Sequence, residues 1–383
     1  MARFNADRIV ERAHQVTGVD NFEGQSFREG LDILVRDANR SEAWSETGAA
    51  ALEQLASFYL GLRLRIDDYI RRHPEVLETP IKAPVFVMGI PRTGTTLTSN
   101  LLGADPARRS MLTWESNDPT PPATSATLHT DPRALAALEA ERQQQRDNPA
   151  AGRFYMGSAI FPTECTMILA HDFKSLLWEC SAPLPAYSEW IMSCDMASAY
   201  AYHRRFLQVL QHKAPGPWNL KMPSHSLFLG ALLKTYPDAR IVWTHRDPIA
   251  STGSLFSLLH NAQSHYLSAP DNDWLVRNYP GQLAEHANRL MRTREDIGHD
   301  RIYDLHYAAM MREPIAEMRR LYGWLGDDFT PEAEASMRAW LRANPQGKWG
   351  KHAYKLDQWG VTAEAIRPYF EGYLARHQIE PEG

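Results

Sequence analysis

The fold of this chain is decided by the stretch Ala83-Pro-Val-Phe-Val-Met-Gly89-Ile-Pro-Arg-Thr-Gly94-Thr-Thr96. Its first seven residues form a short apolar run that ends in glycine, which is typical of a buried strand in a parallel sheet. Residues 95–102 have helix-forming composition, and Gly103 stands where a glycine can end that helix. Strand, glycine-bearing loop and helix in this order form the first half of a β-α-β unit.

Later stretches repeat this alternation of strand and helix. Residues 218–222, 239–244 and 301–307 have the apolar composition of strands, and each is followed by a segment with helical composition. Strands that alternate with helices favour a parallel sheet with helices on both faces. We therefore predict an α/β fold whose sheet is of the P-loop type, the class built around a phosphate-binding loop after the first strand.

The chain before this sheet is predicted to be helical. Between residues 7 and 73, apolar side chains recur at three- and four-residue steps, which gives one apolar face. Pro74 and Pro80 end this section. We expect an added helical N-terminal region over residues 1–80 and a single α/β domain over 81–383. The N-terminal helices also offer a surface for a homo-oligomer, which the sequence leaves open.

Composition narrows the class of protein further. The chain has 383 residues and a formal net charge of −5. Nucleic-acid-binding proteins usually carry a basic surplus, so we expect no nucleic-acid partner. It has no secretory signal and no run of 18 apolar residues, so we expect a cytoplasmic protein without a transmembrane segment. Its three cysteines are too few and too widely spaced for a disulfide framework or a zinc site, and we expect no metal.

Residues 89–96 have the spacing of a loop that binds the phosphates of a nucleotide. Backbone N–H groups of such a loop, together with the following helix N-terminus, form an anion cradle. The lysine that normally reaches the β- and γ-phosphates of a triphosphate is replaced by Thr95, and the cation is Arg92, inside the loop. A phosphoryl-transfer enzyme with Thr96 on magnesium, and a non-catalytic nucleotide-binding protein, remain alternatives.

The motif Pro-Arg-Thr-Gly-Thr-Thr resembles the 5′-phosphosulfate loop of the sulfotransferase superfamily. It is more similar to the PRSGTT form of tyrosylprotein sulfotransferases and many bacterial sulfotransferases than to the KSGTT form of the cytosolic phenol and steroid enzymes. The resemblance implies that the donor is 3′-phosphoadenosine 5′-phosphosulfate (PAPS), that 3′-phosphoadenosine 5′-phosphate (PAP) is the product, and that no metal is required. The residues implied to hold the 5′-phosphate and the sulfuryl oxygens are Arg92, Thr93, Gly94, Thr95 and Thr96.

A donor with a 3′-phosphate needs a second anion site. Arg246 follows a predicted strand and Ser254 lies eight residues later in the next helix, which is the spacing of the family's 3′-phosphate motif. Tyr307 matches the tyrosine of another family motif and is implied to touch the adenosine. The segment that resembles the loop closing over the 3′-phosphate contributes Gly347, Lys348 and Lys351.

Sulfuryl transfer needs cations at the transferred group and a base for the acceptor. Arg92 is the first cation, and Lys221 matches the lysine of the cytosolic enzymes. Our first choice of base is Glu115, by resemblance to tyrosylprotein sulfotransferases, with Glu164 and then His225 as alternatives. The aromatic and methionine-rich residues 154–196 indicate an apolar pocket, so we expect a small, apolar acceptor with a hydroxyl or an amine.

Overall fold

The computed structural model describes residues 3–147, 157–345 and 356–382 of the chain. Their sheet consists of β1 (Val85–Gly89), β2 (Arg109–Ser110), β3 (Trp218–Lys221), β4 (Arg240–His245) and β5 (Ile302–His306). The strand order is β2-β3-β1-β4-β5, and every neighbouring pair is parallel. The predicted parallel α/β fold is confirmed.

Helices surround this sheet. Up to the third strand they are α1 (Ala6–Thr17), α2 (Phe27–Ala38), α3 (Glu46–Arg72), α4 (Thr95–Ala104), α5 (Thr113–Asn117), α6 (Pro132–Asp147), α7 (Thr166–Ala170), α8 (Pro185–Ile191) and α9 (Ala197–Gln211). After it they are α10 (Leu229–Thr235), α11 (Pro248–Gln263), α12 (Asn272–Ile297), α13 (Tyr307–Arg312), α14 (Pro314–Leu325), α15 (Pro331–Ala343), α16 (Ala363–Ile366) and α17 (Glu371–His377).

The central strand β1 is buried on both faces. Phe86 and Met88 belong to one hydrophobic core, to which α9, α10 and α12 contribute. Val85 and Val87 belong to a second core on the other face, built with α4, α14 and α15. Successive side chains of a strand point to opposite faces, so this division follows from the alternation along β1. It confirms that helices cover both faces of the sheet.

The N-terminal helices share the first of these cores with the sheet. Leu31 of α2 and Leu60 of α3 are buried in the same cluster as Phe86. A buried ion pair between Arg63 of α3 and Asp172, with 2.9 Å between Nη1 and Oδ1, also connects α3 to the segment between β2 and β3. The division at residue 80 and the homo-oligomer stay predictions.

One expectation about local structure needs correction. Gly103 does not end α4, which continues to Ala104; a Cβ at Gly103 would lie 2.5 Å from Cγ of Pro162, so glycine allows close packing there. The described part of the aromatic stretch lies largely in the core, where Phe173 stacks on Trp178 with ring centroids 4.7 Å apart, and the acceptor pocket expected there stays a prediction. Among the described helices, none has the length and apolar character needed to cross a bilayer.

Candidate active site

The carboxyl ends of three neighbouring strands meet at one edge of the sheet. In the register of the sheet, Gly89 of β1 lies opposite Thr244 of β4, and Val87 lies opposite Lys221 of β3. In open parallel sheets, ligands bind outside the carboxyl ends of the strands, where the strand order reverses. The loop after β1 is therefore at the expected place for a binding site.

The loop after β1 is held in a conformation that ordinary strands and helices do not adopt. Arg92 has φ +72° and Gly94 has φ +94°, both in the left-handed region, and α4 begins directly afterwards at Thr95. The buried Thr93 fixes the turn because its Oγ1 lies 2.7 Å from the Ile90 carbonyl oxygen and 2.6 Å from Thr244 Oγ1. The loop and the first N–H groups of α4, which have no partner within the helix, thus have the arrangement of an anion cradle at the sheet edge.

Replacing Gly94 by alanine is expected to destabilise the protein. The added Cβ would lie 2.8 Å from Cδ2 of Tyr307, at a φ that side-chain-bearing residues rarely adopt. We expect the free energy of unfolding, measured by urea denaturation, to fall by about 1–3 kcal/mol. Gly230→Ala is the matched control, because Gly230 lies in α10 with open space around it and should lose no stability. Equal unfolding midpoints for the two variants would contradict this account.

The residues expected at the second anion site lie against this loop. Arg246 donates from Nη1 to the Arg92 carbonyl oxygen at 3.0 Å, and its guanidinium stacks on the ring of Tyr307 at 4.4 Å. The Arg92 side chain in turn donates from Nε to Oγ of Ser254 at 3.0 Å. The structure therefore brings the predicted donor-binding residues Arg92, Gly94, Arg246, Ser254 and Tyr307 together, and Arg92 links the two predicted anion sites.

Sequence reasoning missed an acidic residue at this site. Glu382 binds Arg246 through two hydrogen bonds, from Nε to Oε1 and from Nη2 to Oε2, each 2.7 Å long. A two-oxygen anion on the flat edge of a guanidinium has the geometry with which arginine binds phosphate. No motif marks Glu382, and it is 136 residues away from Arg246 in the chain, so no sequence signal could have found it.

Lys221 and Glu164 form an ion pair beside the loop helix. Lys221 Nζ lies 2.5 Å from Oε1 of Glu164 and 3.4 Å from Oγ1 of Thr96 in the first turn of α4. A backbone hydrogen bond of 2.9 Å from Cys165 N to the Lys221 carbonyl oxygen aligns the two segments. The Lys221 side chain is fully buried, whereas Glu164 is 21% exposed, so Glu164 is the member of the pair that faces solvent.

Glu115, our first choice of base, has the contacts of a structural carboxylate. Its two oxygens accept hydrogen bonds from Arg109, at 2.9 Å from Nη1 and 2.5 Å from Nη2, and Leu112 N donates to Oε2 at 3.1 Å. Glu115 and Arg109 are both buried, and the arginine also stacks on Trp218 at 4.7 Å. Both oxygens are engaged and shielded, which argues against proton transfer to a bound acceptor.

Comparisons with known proteins agree with this arrangement. Residues 84–331 match the model of a family described as the sulfotransferase family, and this range contains the loop, Lys221 and Arg246. The chain belongs to the sulfotransferase family. This sulfotransferase is also similar to the omega-hydroxy-beta-dihydromenaquinone-9 sulfotransferase Stf3 of Mycobacterium bovis and of Mycobacterium tuberculosis. To each it is 25% identical over 370 residues, which cover 94% of the chain and 92% of Stf3.

Two solved structures have the same fold as this sulfotransferase over almost all of its length. The sulfotransferase STF9 of Mycobacterium avium is 43% identical, with a TM-score of 0.92 over 99% of this chain and 98% of that one. The sulfotransferase STF1 of Mycobacterium tuberculosis is 26% identical, with a TM-score of 0.87 over 97% of this chain and 99% of that one. The match to both structures extends beyond residues 84–331, the range of the family model, and includes the N-terminal helices.

His225 lies in the hydrophobic core of this sulfotransferase, and its contacts do not suit a base. It is completely buried, its Nδ1 lies 2.7 Å from the hydroxyl of Tyr200, and burial lowers its pKa well below the usual value. Burial also raises the pKa of Cys165 to about 12 and lowers that of His203 to about 3. Potential ligand atoms of these two residues and His225 lie within 4.8 Å of one another, and the expectation that no metal is needed stays a prediction.

Three of the predicted donor-binding residues fall outside the described part of the chain. They are Gly347, Lys348 and Lys351, in the segment resembling the loop that closes over the 3′-phosphate. Their role stays a prediction. The described site already contains three cationic side chains, Arg92, Lys221 and Arg246, at the carboxyl edge of the sheet.

Proposed function

We propose that this sulfotransferase moves the sulfuryl group of PAPS to a hydroxyl or an amine of a small, apolar acceptor in the cytoplasm. One observation carries the choice of donor: Arg92 belongs to the anion cradle and contacts the arginine-serine site through both its carbonyl oxygen and its side chain. A nucleotide with anionic groups at its 5′ and 3′ ends would fill both sites. A nucleoside triphosphate has no second anion for Arg246 and Ser254.

The residues present fit such a donor. The N–H groups at the start of α4 and the guanidinium of Arg92 would hold the 5′-phosphosulfate, as in other anion sites at helix N-termini. Arg246 and Ser254 would hold the 3′-phosphate, and the carboxylate that Arg246 already binds shows that its outward edge accepts a two-oxygen anion. Tyr307, which stacks on Arg246, would contact the adenosine.

The chemistry is a single in-line displacement at sulfur. The acceptor oxygen or nitrogen forms a bond to sulfur while the bond from sulfur to the 5′-phosphate oxygen breaks, and PAP leaves with that electron pair. Lys221 and Arg92 would stabilise the charge that develops on the sulfuryl and leaving oxygens. Glu164 would accept the acceptor's proton, because it is the partly exposed partner of Lys221 and its Oε2 receives no hydrogen bond among the described residues.

The class of acceptor is supported by a relative and not by a cavity. Stf3 is named for omega-hydroxy-beta-dihydromenaquinone-9, a menaquinone derivative that carries a hydroxyl group. Identity to Stf3 is 25%, so we propose the class of an apolar alcohol and no particular compound. A transfer assay with sulfur-labelled PAPS and a lipid extract, followed by mass identification of the product, tests this part of the proposal.

Replacing Arg246 by alanine is expected to weaken the binding of PAP far more than that of adenosine 5′-monophosphate. The variant loses a charged partner of the 3′-phosphate, and such losses cost about 2–5 kcal/mol of binding free energy. Calorimetry without magnesium measures both affinities. Arg319→Ala is the control, since this arginine pairs with Glu334 on the surface, and it should bind PAP like the unmodified protein.

The opposite result would contradict the donor assignment. PAP affinity that is the same in Arg246→Ala and Arg319→Ala would mean that the 3′-phosphate does not bind at Arg246. Magnesium-dependent turnover of ATP would favour the phosphoryl-transfer alternative, and PAP binding without turnover of any acceptor would favour a non-catalytic nucleotide-binding protein.

A further inference from the structure

The contact between Glu382 and Arg246 occupies the position that the proposed function assigns to the 3′-phosphate. The carboxylate uses Nε and Nη2 of the guanidinium, while Nη1 donates to the carbonyl oxygen of Arg92. A phosphate approaching the same flat edge would need the donors that Glu382 now uses. The two anions would also repel each other if both stayed. The carboxylate and a 3′-phosphate are therefore alternatives at Arg246.

The position of Glu382 is fixed by further contacts. Its backbone N–H donates to Oδ2 of Asp247 at 2.8 Å, while Oδ1 of the same aspartate caps α11 by accepting from Ile249 N at 2.9 Å. The tail segment, residues 378–382, is thus attached at the same loop as Arg246. A backbone bond to a helix-capping side chain specifies this placement more closely than a surface ion pair alone.

The helix before the tail segment is itself anchored to the sheet. The hydroxyl of Tyr373 in α17 lies 3.0 Å from Nδ1 of His245 at the end of β4. The ring of His377 stacks on the ring of His245 with centroids 4.4 Å apart. His245 directly precedes Arg246, so the strand that presents the arginine also holds the helix from which Glu382 extends. Because the tail segment is short, Glu382 stays close to Arg246 even when the hydrogen bonds between its carboxylate and the guanidinium are broken.

We propose that Glu382 is a built-in competitor of the 3′-phosphate, which lowers the affinity of this enzyme for PAPS and PAP but not for nucleotides without a 3′-phosphate. The proposal rests on the proposed function, because it assumes that Arg246 receives the 3′-phosphate. Glu382 keeps Arg246 paired before the donor arrives and takes the arginine back as PAP leaves. Its side chain is 39% exposed, so it can move into solvent without opening the core.

The test is a comparison of two nucleotides on two variants. In Glu382→Gln, we expect calorimetry to show PAP binding about two- to fivefold tighter than in the unmodified enzyme, the range typical of a partly exposed charge pair. The affinity for adenosine 5′-monophosphate should not change, because this nucleotide has no group to compete with the carboxylate. Glu380→Gln removes the same charge two residues earlier and should leave both affinities as they are. Glu382→Ala, which removes the remaining hydrogen-bond acceptor, should show at least the effect of the glutamine variant.

Every other result would contradict the proposal that Glu382 competes with the 3′-phosphate. Unchanged or weaker PAP binding in both Glu382 variants would overturn it, and so would equal tightening of the two nucleotides, which indicates a general charge effect. Equal tightening in Glu380→Gln would do the same. Failure of the proposed function looks different: PAP would then bind equally well with and without Arg246, as tested by Arg246→Ala.

Discussion

Glutamine in place of Glu164 is expected to lower kcat by about 10²–10⁴-fold, the usual contribution of a general base. The glutamine keeps the size of the side chain and one oxygen for Lys221, but it cannot take the proton of the acceptor. PAP affinity should stay within a few-fold of the unmodified enzyme, because Glu164 contacts Lys221 and none of the donor-binding residues among the described contacts. Single-turnover assays with labelled PAPS measure the chemical step directly.

The matched control is Glu189→Gln, which makes the same substitution at an exposed glutamate of α8. This variant should keep its kcat. Lys221→Met and the double variant with Glu164→Gln complete a cycle, and the pair should show a large coupling energy because the two side chains are in contact. A kcat for Glu164→Gln within fivefold of the unmodified enzyme would exclude Glu164 as the base.

Glutamine in place of Glu115 is expected to act on stability and not on the chemical step. Breaking a buried ion pair leaves the charge of Arg109 without its partner and costs about 3–5 kcal/mol of the free energy of unfolding. Both side chains of the pair are buried and they share two hydrogen bonds, so the stability of the protein should be sensitive to the loss of either partner. Urea denaturation measures the loss, and kcat at a temperature where the variant is folded should stay within a few-fold.

The double variant with Arg109→Met sharpens this test. With both charges absent, the loss of stability should be smaller than the sum of the two single losses, because neither partner is left as an unpaired charge. A Glu115→Gln variant that is stable to within 1 kcal/mol but loses kcat 100-fold would restore Glu115 as the base. The two glutamine variants therefore decide between the two carboxylates.

Most of the fold could be predicted because its decisive signals are local. The apolar run into Gly89, the Gly94 turn and the helix after it are contiguous in the chain, and the Arg246–Ser254 pair is defined by a spacing within one strand-helix unit. Each signal depends on neighbouring residues and on backbone preferences that a sequence expresses directly. Local signals do not predict which side chains contact each other when they lie far apart in the chain and meet only after folding.

The choice between the two carboxylates shows this limit. Glu115 ranks first by resemblance to tyrosylprotein sulfotransferases, and Glu164 second because apolar residues flank it in the chain. The structure distinguishes them by their partners: Glu115 is clamped by Arg109, while Glu164 meets Lys221 from 57 residues away. The Gly103 expectation was wrong for the same reason, because Pro162 approaches from a distant part of the chain.

The double contact of Arg92 has a consequence for how the two ends of a nucleotide influence each other. Arg92 gives its side chain to Ser254 and its carbonyl oxygen to Arg246. The Ser254 hydroxyl accepts the hydrogen bond from Arg92 and can still donate to a phosphate, and that donation would make its oxygen a better acceptor and hold the guanidinium of Arg92 in place for the sulfuryl end. By thermodynamic reciprocity, an anion that first captures Arg92 would equally prepare Ser254 for the phosphate. The two half-sites are then cooperative, and fragments that carry one end each should bind together more tightly than the product of their separate affinities.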